Sequence, residues 1–397
     1  MNEKLFAHRM GTVHKSFIRE ILKVTEDPKI ISFAGGLPDP QLFPVKEIAK
    51  ASLSVLEENG RDVLQYSTTE GYLPLREYIA GRYREKKGLP VDPDEIVITN
   101  GSQQGIDLIG KLFLDTGDQM VIERPGYLGA IQAFSMYEPV FQPVPLLDDG
   151  IDPELLERAC TRKRIKLFYA VPNFQNPSGI TYSRQRRRDV ANIIKKHDAI
   201  CVEDDPYGEL RFIGDDLPSI RAYHDDNTIL LGSFSKILAP GLRLGWVCAK
   251  KDIMERIIVA KQASDLHSNY LSQRIIYRYL IDNDLDHHIQ KIRDAYKKRR
   301  DLMVSMIAEC VPEVISYTKP EGGMFLWITL PKGVSSLDLV DRARQNNVAF
   351  VPGKAFYVDG GGNNTLRLNF SNSDEEKIEE GMKRLAKSIK TTELNSI

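Results

Sequence analysis

The stretch "EIVITNGSQQGIDLIGKLF", residues 95–113, reads as a strand, a turn and a helix in immediate succession. A β-type run ends at Asn100, Gly101 frees the turn, and Ser102 and Gln103 open a helix. The same alternation continues through "QMVIE" (119–123), "KLFYAV" (166–171), "RRRDVANIIKKHD" (186–198), "AICVEDD" (199–205) and "TILLGSF" (228–234). Strands alternating with helix-length amphipathic segments predict an α/β fold with a mostly parallel sheet between helices. The near-continuous apolar character of "KLFYAV" and "AICVEDD" fits strands covered on both faces. In such sheets ligands gather beyond the carboxyl ends of the strands.

The chain has 397 residues, beyond the single-core range of about 250–300, so two lobes are expected. The pattern divides it into an N-terminal arm (1–45) contributing to the smaller lobe and the active site, a large domain (46–285) and a small C-terminal α/β domain (286–397). The arm is rich in Pro and Gly, which favours extended chain. The small domain starts with the charged helix "HHIQKIRDAYKKRRDLMVSMIAE", continues through "GGMFLWITL", "SLDLVDRARQNN", "VAFVP" and "TLRLNFS", and closes with the helix "DEEKIEEGMKRLAKSIK".

A net charge of −1 offers no basis for binding a nucleic acid. Four scattered cysteines without a CxxC pair suggest neither a disulfide framework nor a zinc site, so no metal is expected and a cytoplasmic setting fits. No run approaches the ~20 apolar residues that span a bilayer, so no membrane partner is expected.

Four motifs carry the candidate chemistry. The helix start at Ser102 and Gln103 points backbone N–H groups at whatever lies above the strand and favours an anion; the plainer reading is Ser102 as an N-cap. In "LGSFSKILAPGLRLGW" (231–246), Ser233, Ser235 and Arg243 offer two hydroxyls and a bidentate cation to one phosphate, with Lys236 beside them. No GxxxxGK[ST] loop precedes that lysine. Apolar walls and a nearby guanidinium would lower its pKa, as an imine-forming nucleophile requires. "VPNFQNPSG" (171–179) places Asn176 after the strand "KLFYAV", in a segment that would also serve as a simple turn. In "ICVEDDPYGEL" (200–210) acidic residues crowd a strand end, so at least one of Asp204 and Asp205 is expected to face a ligand or an arginine, with Tyr207 placed to act with Asp204.

Together with "ISFAGGLPDPQLFP", "QYSTTEGYLPLRE", "ERPGY" and "LRLNFS", the last three of these motifs resemble the fold type I, pyridoxal phosphate-dependent aminotransferases of class I/II, nearest the 2-aminoadipate/kynurenine and aromatic subgroup. Single motifs are weak, but seven in the family's order across nearly the whole chain are specific. The resemblance implies pyridoxal 5'-phosphate as cofactor and Lys236 as the Schiff-base lysine. Ser102, Gln103, Ser233, Ser235 and Arg243 would hold the phosphate, joined by Tyr66 from the partner of a homodimer with shared active sites. Asp204 would pair with the ring nitrogen, Asn176 and Tyr207 would bond the phenolic oxygen, and Tyr127 would stack on the ring. Arg367 would grip the substrate α-carboxylate, with Gly36 and Asn176 also at the substrate. Arg19 matches an arm arginine that some members turn toward the distal group. The asparagine motif reads NPSG where NPTG is commoner, an exchange that preserves the turn.

The implied reaction moves an amino group from an L-amino acid, whether 2-aminoadipate, aromatic or aliphatic, to a 2-oxo acid such as 2-oxoglutarate. The alternatives are a β-lyase, decarboxylase or racemase with the same cofactor, or the effector domain of a transcription regulator. The arm is expected to be too short and too rich in Pro and Gly for a helix-turn-helix. For substrate choice, Arg19 favours an acidic side chain, whereas Leu22, Phe33, Leu37 and Tyr270 would admit aromatic or aliphatic ones.

Overall fold

The computed structural model describes residues 5–11 and 27–390. After a short strand β1 (Ile31–Ser32), the chain makes β2 (Ile96–Thr99), β3 (Gln119–Arg124), β4 (Val140–Leu147), β5 (Gly150–Ile151), β6 (Ile165–Ala170), β7 (Ile200–Asp204), β8 (Thr228–Ser233) and β9 (Gly245–Cys248). Among the described residues β2 to β9 form one eight-stranded sheet in the order β2-β9-β8-β7-β6-β3-β4-β5. Its centre is parallel: β3 pairs with β4 and β6, β6 with β7, and β7 with β8. β9 runs antiparallel between β2 and β8, and the two-residue β5 closes the far edge antiparallel to β4.

β2, β8 and β9 are buried along their whole length, as strands with both faces covered must be. Apart from two-residue strands, the sequence reading passed over two strands. β4, "VFQPVPLL", carries Pro143 and Pro145, which lack the N–H of a ladder donor and mask the strand signal. They are accommodated because β4 has beyond it only the short β5. β9 is four residues long and follows a turn, too short to announce a direction.

Helices cover the sheet with recognisable end signals. The helix Pro153–Arg162 starts on Asp152, whose carboxylate accepts from Glu154 and Leu155 N–H, and the helix Arg184–Lys196 starts on Ser183. The helix Ser102–Phe113 differs: its cap is Gly101, so Ser102 is the first helical residue and not the N-cap. A glycine cap donates no side-chain oxygen to the helix, which leaves the first N–H groups open.

A second, smaller sheet is built from β10 (Ser316–Tyr317), β11 (Phe325–Thr329), β13 (Val351–Pro352) and β14 (Thr365–Asn369), antiparallel in the order β10-β11-β14-β13. β12 (Val348–Ala349) pairs instead with β1, in parallel, which ties the N-terminal segment to this sheet. The helix Leu285–Cys310 buries Ile289, Ile292, Tyr296, Met303 and Ile307. Each such side chain contributes about 1.5–3 kcal/mol by leaving water. The same helix orients the segment leading from β1: Tyr296 Oη accepts from Asp39 N–H (3.1 Å), and Arg299 pairs with the buried Asp39 carboxylate (2.8 Å). Residues 36–39 are thereby held beside the carboxyl ends of the central strands.

Candidate active site

The ends of β2, β6, β7 and β8 meet the small sheet around a cavity of about 430 Å3. Ser102, Gln103, Tyr127, Asn176, Asp204, Tyr207, Ser233, Ser235, Lys236, Arg243, Arg367 and Gly36 all line it. Residues up to 331 positions apart in sequence, Gly36 and Arg367, are thus brought to one wall.

One end gathers hydrogen-bond donors. Gly101, at φ +76°, turns the chain into the helix, and any Cβ there would come within 2.9 Å of Arg243 Nη2. Arg243 itself sits in the left-handed region (φ 53°) after the single turn Pro240–Leu242 and donates from Nη2 to Asn100 O (3.2 Å). A non-glycine residue held at positive φ stores strain that the surrounding structure must compensate, a pattern that clusters at ligand sites. Ser233 Oγ accepts from Ser235 N–H (3.1 Å), which ties the two serines to one face of the loop. Gln103 Nε2 donates to Gly129 O (2.8 Å), which leaves its second amide hydrogen and its backbone N–H for a ligand.

At the centre Lys236 Nζ donates to Gly36 O (2.9 Å). Burial, with Arg367 and Arg243 adding like-charge repulsion, brings its ammonium down to about 8. Across the cavity floor Asp204 is buried and accepts from Tyr169 Oη (2.6 Å) through Oδ2, while Oδ1 is buried with no partner among the described residues. Desolvation raises this carboxyl to about 7 despite the tyrosine bond. Asp205, in contrast, turns away and accepts from Asn173 Nδ2 (2.8 Å), so of the adjacent pair only Asp204 faces the cavity.

The far wall belongs to Arg367 on β14. Its Nη1 donates to Asn176 Oδ1 (2.8 Å), Nη2 donates to Ala34 O (2.7 Å), and the guanidinium stacks on Phe325 at 4.3 Å. No carboxylate pairs with it among the described residues, and burial brings it down to about 10. A buried cation without a counter-ion is costly unless an anion arrives to meet it. Tyr207 hydrogen-bonds Asn176 and packs edge-to-face on Phe325, and burial raises its hydroxyl well above the ordinary range. Tyr127 is raised to about 12 by the same burial.

Two predicted residues lie elsewhere. Tyr66 is 80% exposed, stacks edge-on against His267 and does not reach this cavity, so it can act on cofactor only from another copy of the chain. Arg19 lies outside the described residues. Of the apolar residues expected at the distal pocket, Leu37 lines the cavity, Phe33 is fully buried against Gly381, Tyr270 stacks on Tyr72, and Leu22 falls outside the described residues. Sequence reasoning missed Tyr169, the donor to Asp204. Its position in a buried strand reads as core, and a hydroxyl-bearing tyrosine in the apolar run Leu167–Ala170 was the one signal that its hydroxyl needs a partner.

Among the described residues no group of His, Cys, Asp and Glu is placed to hold a metal ion, and no helix is long and apolar enough to cross a membrane. The polar atoms left open in the cavity are complementary to pyridoxal 5'-phosphate. Asp204 Oδ1 lacks a partner that a protonated ring nitrogen supplies, and the open N–H groups of residues 102–103, the serine hydroxyls and Arg243 suit a phosphate. A chain with this fold and this complement of groups falls in the class of fold type I pyridoxal phosphate enzymes.

Residues 28–385 match the family "Aminotransferase class I and II", and the chain belongs to it. It is 44% identical over 394 residues to an aromatic-amino-acid aminotransferase 1 of Thermococcus litoralis, covering 98% of this chain and 94% of that protein. It is 42% identical to a 2-aminoadipate transaminase of Thermus thermophilus, over 97% of this chain and 96% of that protein. The solved kynurenine aminotransferase of Pyrococcus horikoshii superposes with a TM-score of 0.94 at 44% identity, over 98% of both chains. The protein is a pyridoxal phosphate-dependent aminotransferase.

Proposed function

We propose that this aminotransferase takes the amino group from aromatic, 2-aminoadipate-type and aliphatic L-amino acids and passes it to a 2-oxo acid such as 2-oxoglutarate. The observation that carries the reading is Arg367: a buried guanidinium, anchored on two sides by Asn176 and Ala34, that faces the same cavity as Lys236 and lacks an anion. An α-carboxylate supplies that anion and brings Cα toward Lys236. Leu37, Val171 and Phe325 line the same cavity, which favours a bulky apolar donor side chain. The names of the relatives, aromatic-amino-acid and 2-aminoadipate transaminases, support the same donor range.

When bound, pyridoxal phosphate supplies an aldehyde carbon that exchanges amino groups and a ring that takes up electron density from the substrate Cα. The chain's own residues do the rest. Ser102, Gln103, Ser233, Ser235 and Arg243 hold the phosphate. Asp204, ionised, keeps the proton on the ring nitrogen, and Tyr169 fixes the orientation of that carboxylate. Asn176 and Tyr207 donate to the phenolic oxygen, and Tyr127 packs on the ring. Lys236, with its pKa brought near the working range, would take the proton from the substrate Cα and deliver it to the cofactor's former aldehyde carbon, across the transferred nitrogen. Gly36 O accepts from the free amine of Lys236 (2.9 Å) and keeps it directed into the cavity.

The working unit is a homodimer with shared active sites. The support is Tyr66, which is exposed together with Leu64 and Leu73 and does not line its own cavity. A cytoplasmic setting agrees with four unpaired cysteines, three of them buried. A half-reaction screen tests the substrate reading: each amino acid is mixed with cofactor-loaded protein, and loss of the absorbance of lysine-bound cofactor is followed. Aromatic amino acids and 2-aminoadipate are expected to convert fastest, with an oxo acid formed and neither ammonia nor carbon dioxide released. Conversion of neither group would overturn it.

A further inference from the structure

Behind the turn that opens the helix Ser102–Phe113 lies an ion pair of a buried lysine and a half-buried aspartate that does not line the cavity. Lys261 is fully buried on the helix Lys251–Asp265. Its Nζ donates to Asp265 Oδ1 (2.9 Å), Asp265 Oδ2 (3.0 Å), Ser268 Oγ (3.1 Å) and Gln104 Oε1 (3.2 Å). Asp265 Oδ2 in turn accepts from Asn100 Nδ2 (2.8 Å) and Gln104 Nε2 (2.7 Å). Gln104 Oε1 also accepts the backbone N–H of Asn100 (2.8 Å), and Asn100 O accepts from Arg243 (3.2 Å).

The effect is to clamp Asn100 at its N–H, its side chain and its carbonyl. The next two residues, Gly101 and Ser102, line the cavity. A glycine turn has little conformational preference of its own, so something else must fix its direction. Asp265 does so from one side of the turn, and Arg243 from the other.

We propose that Asp265, neutralised by Lys261, is a positioning residue for the cofactor phosphate: it fixes Asn100 and Gln104 so that the donors after the Gly101 turn converge on one anion. The proposal rests on the reading that this turn takes the phosphate. A carboxylate suits the position because two half-buried side-chain amides, from Asn100 and Gln104, share one acceptor, and a neutral apolar residue would take that acceptor from both. The lysine is needed because a lone carboxylate behind the turn would repel the phosphate dianion, and the pair as a whole is neutral. The same knot extends outward: Ser268 Oγ donates to Ile98 O, and Gln273 links Ser268 O to Tyr72 N–H, so the phosphate turn is braced against the chain leading from Tyr66.

An alternative role, a mere staple between successive helix turns, is separated by comparing pyridoxal phosphate with pyridoxal, which lacks the phosphate. Affinities are measured on cofactor-free protein by quenching of intrinsic fluorescence. Asp265→Ala is expected to weaken pyridoxal phosphate about tenfold while pyridoxal binding changes less than about twofold. Lys261→Met is expected to weaken pyridoxal phosphate at least as much, and Lys261→Met/Asp265→Ala less than the product of the two single losses, because the unneutralised carboxylate is gone. Asn100→Ala, which opens the clamp from the other end, is expected to reproduce part of the loss and serves if the Asp265 variants do not fold. Unchanged pyridoxal phosphate affinity in these variants, or equal losses for both ligands, overturns the proposal. Wild-type protein that binds both ligands equally overturns the phosphate reading of the turn itself, a result no substitution at Asp265 produces.

Discussion

Lys236→Met separates what the lysine does for catalysis from what it costs the fold. In the cofactor-free protein the ammonium is brought from 10.5 down to about 8, first by burial and then by Arg367 and Arg243. That displacement corresponds to about 3 kcal/mol of destabilisation wherever the group is charged in both folded and unfolded chains. The side chain is only half-buried in an open cavity, and Met forfeits the bond to Gly36 O, so the net gain for the variant is about 1–2 kcal/mol.

The pH dependence fixes the sign. Below about pH 8 the lysine is charged folded and unfolded, and the whole cost is present. Between the folded value of about 8 and the unfolded 10.5, the folded protein has released its proton while the unfolded chain keeps it, so the cost fades as pH rises. Urea unfolding of the two cofactor-free proteins is therefore expected to show the variant more stable near neutral pH, with the difference vanishing above the unfolded value. Turnover is lost in the variant, while the phosphate seat still retains cofactor non-covalently. A variant no more stable than wild type at neutral pH, or a stability difference that stays constant into alkaline solution, refutes the electrostatic account.

Tyr169→Phe removes the donor on Asp204 and is expected to raise that carboxyl above its present value of about 7 by about one further pH unit, so turnover falls at a correspondingly higher pH as solutions are acidified. The acid limb of the kcat profile reads this directly. Asp204→Asn is expected to lower turnover by far more than it lowers cofactor affinity, because the charge acts on the electron-rich state of the reaction; stopped-flow rates and binding titrations that fall equally refute it. Arg367→Lys keeps a positive charge but cannot hold Asn176 Oδ1, Ala34 O and a carboxylate together. About a hundredfold loss in kcat/KM, carried mainly by KM, is expected in steady-state assays.

Much of the fold was legible because its central strands are local signals. β6, β7 and β8 are short apolar runs bounded by turns, and Pro153–Arg162 and Arg184–Lys196 begin on side chains that cap them. β4 was not legible, since Pro143 and Pro145 argue against a strand until the sheet shows how little lies beyond it. Of the two readings of Ser102, the helix opens on it and does not take it as the N-cap, for a related reason. Serine is the better cap by local preference, but the close approach of Arg243 requires glycine at 101 and moves Ser102 into the helix.

The sequence by itself determined what is built from neighbouring residues: the lysine, the two serines and the arginine lie between positions 233 and 243, so one loop delivers them together. Tertiary structure alone decided the pairings that fix their chemical state. Lys236 meets Gly36, Arg367 meets Asn176 and Ala34, Tyr169 meets Asp204, and Asp265 meets Asn100. Turns and strand runs follow from backbone preferences within a few residues, which a sequence displays. Desolvation and hydrogen bonding of a buried charge depend on which distant segments close over it, and only the packed chain sets those.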